Sequence, residues 1–171
     1  NYNYYYKFNW EWTQLEQTAS RLLRNAGSWY THSKVRHGYT NRGEVLGAAI
    51  GPGSNSHYFA FKRVSDSYSV GINFEIVDQD NDFLYYAWED SKDFRRYWKD
   101  YNFGLNFSYN YKGLYSDLNL IYTRSLNHQW ALETWNAGDG YDYYIPGIDK
   151  NNFYCSFSLT IPIDFNLFSN Y

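Results

Sequence analysis

The chain has 171 residues, and 23% of them are aromatic, with Tyr 21, Phe 12 and Trp 7. No run of 18 apolar residues exists, which excludes a transmembrane helix. The net charge of -3 at pH 7 gives no case for nucleic-acid binding, which normally needs a basic surface. A mean hydropathy of -0.70 is still compatible with a transmembrane β-barrel, because lipid-facing and lumen-facing residues alternate along its strands.

Apolar residues recur at every second position, which is the period of a strand with two different faces. In the clearest run, residues 101–111, one face is aromatic or aliphatic throughout and the other consists of Asn, Gly and Ser. We therefore predict an all-β fold with about six strands. In chain order, the predicted strands cover residues 6–13, 57–64, 70–76, 101–111, 115–123 and 153–163.

The connections between these strands alternate between short and long. Ser65-Asp66-Ser67 and Lys112-Gly113 are tight turns, whereas the segments of about 17–55, 78–99 and 126–151 are long. Outer-membrane barrels have short periplasmic turns and longer extracellular loops. If the C-terminus is periplasmic, all three long segments become outer loops. The pattern thus predicts an antiparallel transmembrane β-barrel.

Six strands are too few to close such a barrel. Bacterial single-chain barrels have at least about eight strands, and an open sheet edge leaves backbone groups unpaired in hydrocarbon. We therefore expect residues 1–171 to form the C-terminal portion of a larger barrel, with further strands upstream in the parent chain or from another copy. Pro162 is compatible only with a strand end, an edge or a bulge. A soluble β-sandwich lectin stays open as an alternative, because its strands alternate in the same way.

Two motifs carry a family resemblance. Residues 39–47 read Tyr-Thr-Asn-Arg-Gly-Glu-Val-Leu-Gly, and residues 50–54 read Ile-Gly-Pro-Gly-Ser. This segment resembles the core signature of the capsule-assembly Wzi family, and residues 85–93 and 124–127 look similar to its Bacteroidetes-type members. Family members are large outer-membrane barrels implicated in anchoring or assembling capsular polysaccharide. The resemblance implies a non-catalytic barrel in the outer membrane of a Gram-negative bacterium. Its implied partners are the lipid bilayer, lipopolysaccharide and capsular polysaccharide.

The long segments carry the residues that we expect to contact a polysaccharide. Arg side chains can pair bidentately with acidic sugars, and Trp and Tyr rings can stack on sugar faces. The same residue types also suit structural contacts with lipopolysaccharide, the lumen wall or lipid headgroups. The candidate polysaccharide-binding residues are Trp29, Tyr39, Arg42, Glu44, Trp88, Arg95, Arg96 and Trp98.

The second long segment also contains a weak calcium motif. Oxygen ligands at loop positions 1, 3, 5 and 12 are those of an EF-hand. Phe83 occupies the position where that loop needs Gly, so a solvated acidic loop is the favoured interpretation and no cofactor is expected. The candidate calcium ligands are Asp78, Asp80, Asp82 and Glu89.

No catalytic constellation is recognisable, so we predict that the protein is not an enzyme. Glu89 and Asp90 are sequence neighbours, which rarely flank a glycosidic bond from opposite sides. The histidines lack metal-binding spacing, no Ser lies in a Gly-x-Ser-x-Gly elbow, and residues 51–54 lack the Lys of a phosphate loop. Two non-catalytic alternatives to polysaccharide binding are a porin-like channel and a barrel subunit that binds other envelope proteins.

Overall fold

The structure is a computed structural model. It describes residues 3–18, 27, 29–32, 34–35, 37–42, 44–88, 97–131 and 147–161, apart from the side chain of Trp88. Strands dominate, with one helix and one 3-10 turn among the described residues. The elements in chain order are β1 (Tyr4–Gln14), β2 (Thr40–Asn41), β3 (Glu44–Val45), β4 (Asn55–Ser65), β5 (Tyr68–Gln79), α1 (Asn81–Trp88), β6 (Trp98–Tyr111), β7 (Leu114–Leu126), the 3-10 turn His128–Trp130, and β8 (Lys150–Thr160).

Six long strands form one antiparallel sheet in the order β1-β4-β5-β6-β7-β8, and β2 pairs with β3 in a separate small hairpin. The predicted six-stranded, antiparallel all-β architecture is thus confirmed. The turns at 66–67 and 112–113 lie at one end of the sheet, which we call the turn end. The three longer connections lie at the opposite end, which we call the loop end. Within the described residues β1 and β8 each have one edge without a partner strand, so the sheet is open.

Most strand boundaries differ by one to three residues from the sequence prediction, and one helix was not predicted. β6 begins at Trp98, because Trp98 and Lys99 extend its ladders to β5 and β7 respectively. β8 ends at Thr160, so Pro162 follows the strand and lies outside the described residues. The second long segment contains helix α1, which the sequence analysis did not predict.

The strand register sorts the side chains into two faces. One face, called here the apolar face, carries three inner rows of paired residues with a single charged member. The opposite face, called the polar face, is dominated by Asn, Ser, Thr, Gly, Lys and Glu. The three inner rows of the apolar face are Trp10, Phe59, Phe74, Phe103, Tyr122 and Phe153; then Phe8, Phe61, Ile72, Leu105, Leu120 and Cys155; then Tyr6, Arg63, Val70, Phe107, Leu118 and Phe157.

Burial on the central strands is the reverse of that in a water-soluble protein. On the apolar face Ile72 is 57% exposed and Leu105 is 55% exposed. On the polar face Gly71 and Gly104 are buried, and Asn102 is half-buried. Soluble proteins place large aliphatic and aromatic side chains inside and amides outside. The polar side of this sheet is therefore the more enclosed one.

The buried apolar core is very small. Among the described residues only Leu15, Val77 and Leu84 are buried hydrophobic side chains; Leu15 directly follows β1, Val77 lies near the end of β5 and Leu84 lies in α1. A soluble domain of this length buries well over half of its surface, largely in one apolar core. The sheet therefore does not cover its own apolar side chains.

Candidate functional site

The apolar face forms a band with aromatic borders. Trp12 and Tyr101 lie in the row that borders the band at the loop end. Tyr4, Tyr68 and Tyr109 lie at its turn end, and Tyr111 lies one row further out on β6. Tyr and Trp suit the boundary between membrane and water, because each ring is apolar and carries one polar group. The band thus has the two-sided aromatic border expected of a surface that crosses a bilayer.

The height of this band can be compared with that of a membrane. Tyr101 and Tyr111 both point to the apolar face and lie ten residues apart on β6. At about 3.4 Å per residue they are about 34 Å apart along the strand. A strand tilt of about 40° reduces this to a height of about 26 Å, against the roughly 25 Å of an outer-membrane barrel's apolar band.

A shallow depression of about 540 Å³ lies on the apolar face. Its side chains are almost all aromatic or aliphatic, and the rings of Phe74 and Phe103 pack at 4.7 Å between centroids. The lining residues include no carboxylate, imidazole or thiol group. The depression therefore suits contact with an apolar group such as a lipid chain. It is lined by Phe8, Phe59, Ala60, Phe61, Ile72, Asn73, Phe74, Phe103, Gly104, Leu105, Leu120, Tyr122 and Phe153.

The polar face carries hydrogen bonds that run across neighbouring strands. The Asn102 amide donates to Glu75 at 3.1 Å, and the Thr123 hydroxyl donates to Asn102 at 2.7 Å. Two rows closer to the turn end, the Asn106 amide donates to Asn119 at 2.8 Å. These ladders satisfy polar groups on the enclosed side of the sheet, where an unpaired group costs about 1–3 kcal/mol. They form a polar wall.

Glycine lets side chains lie flat against this wall. A Cβ atom on Gly104 would lie 2.2 Å from the Asn73 side-chain oxygen, and one on Gly71 would lie 3.1 Å from the Lys62 stem. Asn73 and Lys62 therefore lie over the neighbouring backbone. The wall is flat and hydrophilic at these positions, as a wet lumen or a sugar-binding surface requires.

The Gly-Pro-Gly-Ser segment at 51–54 joins β1 to α1. The Leu15 N–H donates to the Ser54 carbonyl at 2.9 Å, and the Asn81 N–H donates to the Gly53 carbonyl at 2.7 Å. Gly53 has a φ of 68°, and a Cβ there would lie 2.2 Å from the Asp80 carboxylate. Glycine is required at this position by both its backbone angle and the close approach of Asp80.

Asp78, Asp80 and Asp82, three of the candidate calcium ligands, have separate structural contacts. Asp78 forms an ion pair with Lys99 at 2.8 Å. Asp80 caps α1 by accepting the Phe83 N–H at 3.0 Å, and Asp82 accepts the backbone N–H of Gln17 at 2.9 Å. Burial raises the pKa of Asp80 above its ordinary value; the Phe83 N–H opposes this shift and the charge of Asp82 adds to it.

The arrangement of these carboxylates does not by itself form a metal centre. Within the described ranges no group of three or more His, Cys, Asp or Glu side chains is placed to hold a metal ion. Glu89, the fourth candidate ligand, lies outside those ranges. The calcium site therefore stays a prediction.

Tyr30 organises the loop that carries the first four polysaccharide candidates. We call the described residues between 29 and 50 the Tyr30 loop. The Tyr30 carbonyl accepts the Tyr39 N–H at 2.8 Å, and its hydroxyl accepts the Ala48 N–H at 3.1 Å. A Cβ on Gly38 or Gly47 would lie 2.3 Å from Tyr30 atoms, so both glycines make room for it. The sequence analysis did not single out Tyr30 as the centre of this loop.

The Tyr30 loop presents two rings and two charges. Trp29 is 55% exposed and Tyr39 is 63% exposed, and both are linked to Tyr30 by ring contact or backbone hydrogen bond. Arg42 follows β2 at the hairpin turn with a φ of 53°, and Glu44 begins β3. Neither charge has a hydrogen bond or ion pair with any described residue. The loop thus brings four candidate residues onto one short unit, with their binding groups available.

The other four candidate polysaccharide-binding residues are Trp88, Arg95, Arg96 and Trp98. The side chains of Trp88, Arg95 and Arg96 lie outside the described residues. Trp98 is half-buried, and its indole N–H donates to Asp100 and to Ser125, each at 2.9 Å. Its ring also contacts His128 edge-to-face, with centroids 5.0 Å apart. These contacts anchor the loop end of β6, so Trp98 is held as a structural residue rather than presented as an open sugar platform.

Asp100, Ser125 and His128 lie together but do not form a catalytic triad. The Ser125 hydroxyl donates to Asp100 and lies 3.3 Å from His128 Nδ1. In a triad the imidazole stands between the hydroxyl and the carboxylate, so that it can take the proton and be oriented by the acid. Here the buried hydroxyl stands in the middle. The arrangement is that of a polar junction between β6 and the 3-10 turn.

No family model, no curated protein and no solved structure matches this chain. Among the described residues no helix has both the length and the apolarity to cross a membrane. The similarity to the Wzi signature in residues 39–54 therefore stays an interpretation of the sequence.

Proposed function

We propose that this chain is part of an outer-membrane β-barrel that holds capsular or other surface polysaccharide at the cell surface without catalysing a reaction. The observation that carries the proposal is the reversed burial of the sheet, with Leu105 more than half exposed beside the buried Gly104. In a bilayer the apolar face meets lipid, and the exposure seen for the chain alone is removed.

The Tyr30 loop supports the polysaccharide part of the proposal. It lies at the loop end, which is the extracellular end of an outer-membrane barrel. Its exposed rings suit sugar faces, and Arg42 suits the carboxylate of an acidic sugar. A repeating polymer would engage many copies at once, so weak individual contacts add up through multivalency.

The test starts with the protein as the cell makes it. We expect it in the detergent-extracted outer membrane, and we expect the combined changes Trp29→Ala, Tyr39→Ala and Arg42→Ala to reduce capsule retention about tenfold, which corresponds to about 1.4 kcal/mol. The control Tyr86→Ala removes a ring that is 86% exposed on α1 at the same end of the sheet. Unchanged retention at normal barrel abundance would refute the site, and recovery in the water-soluble fraction would refute the membrane assignment.

A porin-like channel is the second candidate, and the flat polar wall favours it. Gly71 and Gly104 have no side chains that project from the polar wall, so neighbouring side chains lie flat on it. The side-chain amides of the wall suit a water-filled lumen. Single-channel recording on the natural protein separates the two. A persistently open, ohmic conductance supports the channel, whereas a closed lumen supports the polysaccharide anchor.

A further inference from the structure

Arg63 is the single charged residue in the three inner rows of the apolar face. It lies in the row nearest the turn end, opposite Tyr6 on β1 and Val70 on β5. Placing a guanidinium in an apolar surface costs several kcal/mol at the centre of a bilayer and much less near its boundary. Its position therefore calls for a specific reason.

Two aromatic rings hold the Arg63 side chain. Its guanidinium carbon lies 4.5 Å from the centroid of the Tyr4 ring and 5.6 Å from that of the Tyr68 ring. Both rings belong to the turn-end border of the apolar face. Each cation–π contact contributes about 0.5–2 kcal/mol and fixes the plane of the guanidinium without using its N–H donors.

No acidic side chain among the described residues satisfies this charge. Arg63 has neither a hydrogen bond nor an ion pair with any described residue, and its Nε is buried without a partner. The acid nearest in sequence is Asp66, which is exposed in the β4–β5 turn and is not paired with Arg63. A guanidinium presents five N–H donors in a planar fork that matches phosphate oxygens.

A second cation lies at the same end of the sheet. Lys112, in the turn between β6 and β7, has its ammonium 5.4 Å from the centroid of the Tyr111 ring. Cations beside tyrosine rings therefore occur at two places along the turn-end border. Phospholipid phosphates lie at this depth, and long basic side chains reach them from the apolar band.

We propose that Arg63, held by Tyr4 and Tyr68, binds the phosphate of a phospholipid at the turn end of the sheet. The proposal rests on the membrane assignment made above, under which the turn end is periplasmic. The ligand is a phosphate diester with acyl chains that cover the neighbouring apolar row. Arg63 supplies a bidentate contact, and the two rings position it.

The experiment uses the natural protein extracted in mild detergent, with native mass spectrometry of the phospholipid that stays bound. We expect Arg63→Leu to lower phospholipid retention about tenfold. Arg63→Lys keeps the charge but loses the planar fork, so we expect an intermediate loss. The control is Lys62→Leu, which removes a charge from the adjacent position on the polar face and should leave retention unchanged.

Reconstitution identifies the source of the phosphate. The protein is inserted into vesicles of phosphatidylethanolamine and phosphatidylglycerol, with millimolar inorganic phosphate as a competitor. Retention that survives the competitor supports a phospholipid site, whereas complete displacement by phosphate indicates a site for free anions and overturns the proposal. Equal retention by Arg63→Leu and the parent protein also overturns it. If the parent protein inserts normally in that case, only the Arg63 site fails; if it does not insert at all, the membrane assignment fails as well.

Discussion

Replacing Leu105 with Arg tests whether the apolar face meets lipid. Leu105 lies in the middle row of the band, about 14 Å along β6 from Tyr101 and about 20 Å from Tyr111, at about 3.4 Å per residue. Under the proposed membrane assignment Leu105 lies near the bilayer midplane, where Arg costs about 2–4 kcal/mol. Since 1.36 kcal/mol is tenfold, the folding equilibrium in lipid should fall by a factor of about 30 to 900.

The assay is a urea titration of folding into phospholipid vesicles, using the natural protein. The matched control is Asn106→Arg, one residue further on β6 and on the polar face. It breaks the hydrogen bond from Asn106 to Asn119 and should cost about 1 kcal/mol. Tyr111→Arg, at the turn-end limit of the band, should cost about 0–1 kcal/mol because the penalty falls towards the interface.

The relative loss of folding stability in the three variants shows whether the apolar face meets lipid. A surface that meets water tolerates Leu105→Arg to within about 0.5 kcal/mol. If Leu105→Arg proves no more destabilising than Tyr111→Arg, the apolar face does not lie in hydrocarbon. If Asn106→Arg has the larger cost, the two faces are assigned the wrong way round.

Two further predictions concern the loop end and the apolar face. Because the pKa of Asp80 is raised in the folded chain, the stability of the α1 start should rise as pH falls through that raised pKa and reach its full gain below the ordinary value of 3.8. Asp80→Asn should abolish this pH dependence while keeping the cap, and Asp80→Ala should cost about 1 kcal/mol, both read from hydrogen exchange of the Phe83 amide. Cys155, the exposed thiol on the apolar face, should resist a charged maleimide in vesicles and react with a lipid-soluble one. Moving the thiol to the polar face with Cys155→Ser and Ser156→Cys should remove that preference for the lipid-soluble reagent, and rapid reaction of Cys155 with the charged reagent would contradict the membrane assignment.

The sheet was predictable because its pattern is local. Two-residue alternation in residues 101–111 specifies a strand with one apolar and one polar face, whatever the strand pairs with. The start of β6 was not predictable in the same way. Trp98, Lys99 and Asp100 do not alternate, and they belong to the strand because of their pairing with β5 and β7.

Helix α1 and the Tyr30 loop were harder to predict because they depend on contacts between distant residues. The helix has only eight residues, too few to be stable alone, and its first turn depends on Asp80 and the carbonyl of Gly53. Trp29 and Tyr39 are exposed, and their role as contact residues stays a prediction. The central position of Tyr30 depends on its contact with Gly47, seventeen residues further along the chain. No local sequence pattern predicts this contact.

Whatever shields the apolar face from water must contact all six strands of the sheet. Its inner rows extend from Phe8 on β1 to Cys155 on β8, and the Tyr101 and Tyr111 positions at its two limits on β6 are about 26 Å apart in height once the strands are tilted. An interface with a second protein has a single rim that meets water. Such an interface would not require two parallel rows of Tyr and Trp at this separation. A bilayer has two parallel interfaces, and each of them favours Tyr and Trp. The two borders therefore favour lipid over a second protein surface, and under the proposed membrane assignment Arg63 lies near one interface, where a phosphate can satisfy its charge.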